Sequence, residues 1–364
     1  MTGTRADFGK LLPVAEVFQQ GNLESHWYVT GMHLLSDLGF TCNEVYKSVP
    51  NHDLIHVSCG HSDLGAGYEE IIAGELLSMT RYLRAHRYDA VVIHGDRAEA
   101  LAATMACRFT DTKAIHIEGG EISGTMDDFF RKCCSVFANF HLCSSDSARD
   151  AITALTSEAV ENVAVVGSPE LDVHLRQENT IDDVKKHYEI KMDNYGILIF
   201  HPDVIHPSEN LPLLRLVMEA VDLSELSFVA IKPNNDPGCE ELIAELNGWQ
   251  NPNVVLLPSM RFSAFSTLLR HSQLFIGNSS VAVREAPFMG IPSINLGLRQ
   301  RNRGTAKSIV NIPRHDCMTP EDIAKLIVDI QSKRYEPNFD FGDGSCSAKI
   351  KKLLDSDWFK LGVF

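Results

Sequence analysis

Short apolar runs alternate along the chain with longer segments whose apolar residues recur at helical spacing. In the first half the runs are Ala90–Ile93, Ala114–Ile117, Phe140–Cys143 and Val163–Val166; in the second they are Gly196–Phe200, Phe228–Ile231, Val254–Leu257 and Leu274–Ile276. Each is short and either rich in β-branched residues or closed by a turn signal, the pattern of a strand buried on both faces of a parallel sheet. Between them lie stretches such as Tyr68–Ala85 and Arg97–Arg108, patterned as amphipathic helices. Strand–helix alternation predicts parallel sheets covered by helices on both faces. A polar segment over residues 170–190 interrupts the rhythm after Val166-Gly167-Ser168-Pro169. The prediction is an α/β protein of two Rossmann-like domains, residues 1–172 and 173–345, with a C-terminal amphipathic helix over 346–364 packed on one of them. Two doubly wound domains facing each other point the carboxyl ends of their strands into a central cleft. One feature breaks the pattern. The chain opens Met1-Thr2-Gly3-Thr4-Arg5-Ala6-Asp7-Phe8, a polar turn running into a helical pattern with no apolar strand before it. Either the first domain is built without its usual central strand, or the start is shortened.

Composition narrows the class. The 364 residues carry 33 Lys+Arg against 48 Asp+Glu, a net charge of −15, with 44% hydrophobic and 22% charged residues. This is a globular mixture, which argues against intrinsic disorder, and its acidity argues against a general nucleic-acid surface. A local anion pocket is compatible with it. Nine scattered cysteines, odd in number and without a Cys-x-x-Cys pair, point to a reducing compartment and give no zinc-ligand spacing. No apolar run approaches the roughly 20 residues that span a bilayer. The expectation is a cytoplasmic protein with no membrane partner, no metal and no cofactor.

The unusual polar residues follow the predicted strands. His94-Gly95-Asp96-Arg97 comes after the strand Ala90–Ile93, where Asp96 can act as a base or hydroxyl contact or simply cap the next helix. His116-Ile117-Glu118-Gly119-Gly120-Glu121 puts a carboxylate beside two glycines, which suits close backbone approach to a ligand or a plain loop. In Ser123-Gly124-Thr125-Met126-Asp127-Asp128-Phe129-Phe130-Arg131, Asp127 and Arg131 are four apart on one helix face. Asp96, Glu118 and Asp127 gathered in one cleft would push their pKa values apart, so that an acid and a base coexist near neutral pH.

In the second half, Gly277-Asn278-Ser279-Ser280 precedes a helix containing Arg284, Glu285 and Ala286. Small and hydroxylated residues at a helix start offer N–H groups to a phosphate, Glu285 can accept two ribose hydroxyls, and a Ser N-cap is the plain alternative. Arg299, Arg301 and Arg303 read as an anion partner or a solvated loop. His201 closes Gly196–Phe200 and can serve as an acid or a phosphate contact.

Together with Pro233-Asn234-Asn235-Asp236 and the opening Thr2–Phe8 turn, these motifs resemble the UDP-N-acetylglucosamine 2-epimerases, in order from residue 2 to about 303. They are most similar to the hydrolysing branch, which makes free N-acetylmannosamine for sialic acid synthesis. The resemblance implies a GT-B-like pair of Rossmann domains and a metal-free reaction. A base removes the C2 proton as UDP leaves C1, giving a 2-acetamidoglucal, and water then adds with inversion at C2. By position it implies Asp96, Glu118 and Asp127 as catalytic carboxylates and His201 as an active-site histidine. It also implies Arg5, Asp7, Arg97, Gly277, Asn278, Ser279, Ser280, Arg284, Glu285 and Arg299 on the substrate and nucleotide, and a homodimer or homotetramer. Two stretches depart from the family. Arg131-Lys132-Cys133-Cys134-Ser135-Val136 stands where the branch reads Arg-His-Ala-Ile-Thr-Lys, and Asp203-Val204-Ile205-His206 stands where Val-Thr-Thr follows the His-Pro pair. These changes point to a GDP-linked or 2,4-diacetamido sugar or to a silent binding protein as alternatives; a non-hydrolysing epimerase is a separate runner-up, and a GT-B glycosyltransferase is a different class of answer.

Overall fold

Every paired strand among the described residues runs parallel to its neighbour, in both halves of the chain. The structure is a computed structural model that describes residues 1–36, 39–58, 66–123, 125–156 and 162–356. It divides into two compact units. The first comprises Met1–Glu121, Asp127–Leu175 and Phe341–Phe364, and the second Ile122–Met126 and Arg176–Asp340.

The first unit holds β1 (Trp27–Val29), β2 (Ile55–Val57), β3 (Ala90–His94), β4 (Lys113–Ile117), β5 (Phe140–Cys143) and β6 (Val163–Val165). They form two separate sheets, β1-β2 and β3-β4-β5-β6. The start of the chain meets both sheets: Thr2 bridges Val29 in parallel, and the Met1 nitrogen sits 3.1 Å from the Val92 carbonyl oxygen. Thr4 and Asp7 then form a reciprocal capping box that starts the helix Arg5–Gln20. Its apolar face (Phe8, Leu11, Val14, Val17) shares a core with Trp27, Ile115, Ile117 and Leu142. Cys346 and Ile350 join that core from the helix Cys346–Leu354, while residues 357–364 of the predicted terminal helix lie outside the described residues.

The second unit holds β7 (Tyr195–Ile199), β8 (Ser227–Ile231), β9 (Val254–Leu257), β10 (Phe275–Gly277), β11 (Ser293–Leu296) and β12 (Ile309–Ile312). Their order is β12-β11-β10-β7-β8-β9. The chain winds outward from β7 to β9, returns to the other side of β7 as β10, and winds outward again. The strand order therefore reverses between β7 and β10, where doubly wound sheets bind ligands. Gly277 makes that pairing possible: a Cβ there would lie 1.8 Å from the Ile199 carbonyl oxygen.

Candidate active site

In the first unit the candidate acids leave adjacent strand ends. His94 of β3 is in register with Ile117 of β4, so Asp96 and Glu118 emerge at nearly the same level. Asp96 does not cap the following helix. The N-cap of Ala98–Phe109 is Arg97, which makes no side-chain cap bond, and the Asp96 carboxylate is instead ion-paired and hydrogen-bonded to Arg131. Arg131, fully buried on the helix Met126–Phe137, also donates to the Glu121 carbonyl at 3.1 Å and lies 3.7 Å from Asp128. That helix begins at Met126 with Asp127 and Asp128 in its first turn, so Arg131 ties it to the end of β3. Gly124 of the preceding motif lies outside the described residues.

Glu118 is held in a left-handed backbone conformation (φ 65°) that a non-glycine residue adopts at a cost of order 1 kcal/mol. Its buried carboxylate lies 3.2 Å from His94 Nε2 and 3.9 Å from the Lys10 ammonium. Lys10 is also 3.6 Å from Glu170, a fully buried residue one position past Pro169. Ligand atoms of His94, Glu118 and Glu170 lie within 4.8 Å of one another, a spacing that suits a cation. The Lys10 ammonium already supplies positive charge to both carboxylates, so a metal here would have to displace it.

The paired glycines serve the protein rather than a ligand. A Cβ on Gly120 (φ 83°) would lie 2.0 Å from the Ala148 carbonyl oxygen, and one on Gly119 would lie 2.7 Å from Ser135 Oγ. This corrects the expectation of close backbone approach to substrate. His116 braces the opposite loop: its Nε2 donates to the Gly95 carbonyl at 2.7 Å, leaving Nδ1 to accept from Ser135 Oγ at 3.2 Å. Burial lowers its pKa to about 4, so the imidazole stays neutral.

The other first-unit candidates are engaged in ion pairs and caps. Arg5 pairs with Glu44 at 2.8 Å and Arg97 with Glu99 at 3.3 Å. The Asp7 carboxylate accepts from the backbone N–H groups of Gly3 and Thr4, both at 3.0 Å, and from the Thr2 hydroxyl. Asp7 thus shapes the N-terminal turn.

In the second unit the loops after β7 and β10 are bonded to each other. The Asn278 side chain accepts from the His201 N–H at 2.6 Å and donates to the His201 carbonyl at 2.7 Å. His201 Nδ1 accepts from the Asn234 N–H at 3.1 Å, which fixes the neutral ring with its proton on Nε2. Gln300 donates to the Asn278 carbonyl at 3.1 Å, and Arg299 lies 3.6 Å from Asp236, so the arginine loop is tied to the same point.

The helix expected after the serine turn is short, with Arg284 at its N-cap. Ser279 caps a single 3-10 turn, Ser280–Ala282, and the segment Glu285–Phe288 is one α-helical turn that contains Pro287. A helix dipole is therefore no major anion determinant here. Arg284 and Glu285 are both buried at this turn. Two basic residues and a carboxylate beyond the expected set emerge from the geometry: Arg131 as a clamp, and Lys10 with Glu170. Glu170 was open to detection as a charged residue in the first turn of the helix Pro169–Arg176 that follows β6.

Doubly wound parallel α/β units bind ligands at the carboxyl ends of their strands, where these ionisable residues stand. Comparison narrows this. The family description UDP-N-acetylglucosamine 2-epimerase matches residues 15–355. The chain is 36% identical over 313 residues to the UDP-N-acetylglucosamine 2-epimerase of Neisseria meningitidis serogroup B, covering 85% of this chain and 82% of that one. It is 27% identical to the UDP-N,N'-diacetylbacillosamine 2-epimerase (hydrolyzing) of Legionella pneumophila, covering 97% and 94%. The solved UDP-GlcNAc 2-epimerase of Methanocaldococcus jannaschii, in complex with UDP-GlcNAc and UDP, is similar in fold with a TM-score of 0.79 at 18% identity, covering 97% and 98%. The chain belongs to the UDP-N-acetylglucosamine 2-epimerase family, and its architecture is the two-domain, GT-B-like arrangement of parallel sheets.

Proposed function

We propose that this family member is a hydrolysing UDP-N-acetylglucosamine 2-epimerase, releasing UDP and N-acetylmannosamine. The observation that carries the chemistry is the pair of carboxylates leaving adjacent strand ends in unlike surroundings: Asp96 on a buried guanidinium, Glu118 on an imidazole and an ammonium. Different neighbours give two carboxylates different proton affinities, the condition for one to take a proton while the other delivers one. A C2 proton is weakly acidic, so its removal goes with departure of UDP from C1, and 2-acetamidoglucal results. Water then adds across the double bond: its proton goes to C2 on the face opposite the one deprotonated, and its hydroxyl goes to C1. Lys10 and Arg131 keep the carboxylates oriented, and Asp127, in the first turn of the helix Met126–Phe137, is the third candidate carboxylate. In the second unit, His201 with its Nε2 proton, Asn278, Ser279, Ser280, Arg284, Glu285 and Arg299 serve the nucleotide diphosphate. The enzyme works in the cytoplasm as a homodimer or homotetramer and feeds sialic-acid-type sugars.

A second reading is favoured by the Legionella relative, a hydrolyzing enzyme for a diacetamido sugar, and by Lys132, which pairs with Asp128 at 2.7 Å where the branch carries His. A UDP-linked 2,4-diacetamido sugar is then the substrate. Incubation with both nucleotide sugars, followed by mass spectrometry of the products, separates the readings. Loss of turnover in Asp96→Asn and Glu118→Gln with unchanged folding supports catalysis; product that remains on UDP would assign a non-hydrolysing epimerase.

A further inference from the structure

Glu170 carries its charge where charge is costly. It stands in the first turn of the helix Pro169–Arg176, a position at which an acidic side chain ordinarily faces water and favours the helix dipole. Here it is 0% exposed. A carboxylate taken out of water needs a counter-charge. That counter-charge is Lys10 at 3.6 Å, and Lys10 is also engaged by Glu118 at 3.9 Å. Two buried carboxylates thus share one ammonium at nearly equal distances. The backbone around Glu170 is pinned. The Ser168 N–H donates to the Phe341 carbonyl at 2.8 Å, and Gly342 permits that approach, since a Cβ there would lie 2.8 Å from Gly167 Cα. Asp172, two residues on, accepts from the Cys346 and Ser347 N–H groups at 2.8 and 2.6 Å and so fastens the helix Cys346–Leu354 to the same turn. Asp172 does the capping, and Glu170 faces Lys10.

On the reading that Glu118 exchanges a proton with the sugar, we propose that Glu170 is a positioning residue: it divides the Lys10 ammonium between two carboxylates and so keeps Glu118 more basic than a carboxylate with an ammonium to itself. Two electrostatic effects act in the same direction. Glu170 draws Lys10 away from Glu118, and its own negative charge, with carboxylate oxygens of the two within 4.8 Å, disfavours a second one beside it. A carboxylate paired with an undivided ammonium is held ionised and accepts a proton poorly near neutral pH. Glu118 also faces His94 of β3 at 3.2 Å, the neutral His116 of β4, and Cys346. Burial, and then the charges of Asp172, Glu170 and Glu118, push the Cys346 thiol well above its usual pKa, so it stays uncharged, while Lys349 pairs with Asp343 at 3.2 Å. These groups are common to every variant below, so differences between variants report Lys10 and Glu170.

The test is the pH dependence of kcat/KM for UDP release by the full chain. In Glu170→Gln, an uncharged isostere, one limb of the profile is expected about one pH unit lower than in the parent. At neutral pH kcat should fall several-fold while KM changes by less than about twofold. Lys10→Gln is expected to move the same limb to higher pH. The double variant, which removes one charge of each sign, should return it most of the way. A side chain that only packs would lower the melting temperature and leave the limb in place. If Glu170→Gln fails to fold, the difference between Lys10→Gln and the double variant isolates the same charge. A second measurement needs no turnover: infrared titration of the protonated-carboxyl band that disappears in Glu118→Gln follows the proton on Glu118 itself and should show the same shifts. If the parent frees no nucleotide, the proposed function fails, and the infrared titration still decides the role of Glu170. An unmoved Glu118 titration in folded Glu170→Gln, or shifts in the same direction for Glu170→Gln and Lys10→Gln, overturns the proposal.

Discussion

Replacing Arg131 by methionine tests the first unit's site most searchingly, because one side chain joins the candidate base to the helix that carries Asp127. Arg131 is 2% exposed, while its partner Asp96 is 26% and Asp128 11% exposed at the side chain. Breaking a fully buried ion pair by removing one partner costs about 3–5 kcal/mol, since the other charge stays behind unpaired. Asp96 retains some water, and Asp128 keeps Lys132 at 2.7 Å, so the loss is smaller here. The Glu121 carbonyl loses its buried donor as well, which adds about 1 kcal/mol. The net expectation for Arg131→Met is about 2–3 kcal/mol, read by calorimetry as a fall of roughly 5–10 °C in the melting temperature of the first unit. Arg131→Lys keeps charge without the planar fork and should recover less than half of that loss. The diagnostic step is the double variant Arg131→Met with Asp96→Asn. If the cost comes from an orphaned carboxylate, neutralising Asp96 restores at least about 1 kcal/mol. A single-variant cost below about 0.5 kcal/mol, or strict additivity in the cycle, would refute the clamp.

Three further outcomes follow from the same geometry. Burial raises Glu75 to about 7, above its unfolded value of 4.5, and Thr30 donates to it at 2.6 Å. The folded state therefore holds that proton more tightly, and the stability it contributes at acid pH is lost as pH climbs from about 4.5 through about 7, of order 3 kcal/mol. Denaturant midpoints at pH 5 and pH 8 should differ less in Glu75→Gln than in the parent; equal differences contradict the assignment. Gly120→Ala sets a methyl 2.0 Å from the Ala148 carbonyl at φ 83° and should cost more than about 3 kcal/mol, with soluble yield and melting temperature as the readout. Asn278→Ala removes both bonds that hold the His201 backbone. It should raise KM for the nucleotide sugar several-fold and destabilise by about 1–3 kcal/mol, measured by initial rates and thermal melting.

Strands of four or more apolar residues, such as Phe228–Ile231 and Val254–Leu257, were legible because parallel strands buried on both faces leave a continuous apolar signature. β1 and β2, three residues each, carry too little periodicity to stand out, and β12 at Ile309–Ile312 is interrupted by the exposed Asn311. The strand ends announced Asp96, Glu118 and His201, since ionisable residues after a buried run have few packing reasons to be there. Their partners were not legible. Arg131 reaches Asp96 from 35 residues away, and Lys10 meets Glu118 and Glu170 only after three elements have folded together. Gly119 and Gly120 misled because a backbone crowded by Ser135 and Ala148 and one crowded by a ligand demand the same residue.

The central claim, that this chain removes and replaces the C2 proton while cutting the bond to UDP, is tested most directly in heavy water. Incubated with UDP-N-acetylglucosamine, the enzyme should release free UDP and N-acetylmannosamine carrying one deuterium at C2. Unlabelled product, or no nucleotide freed from this or any related nucleotide sugar, would contradict it.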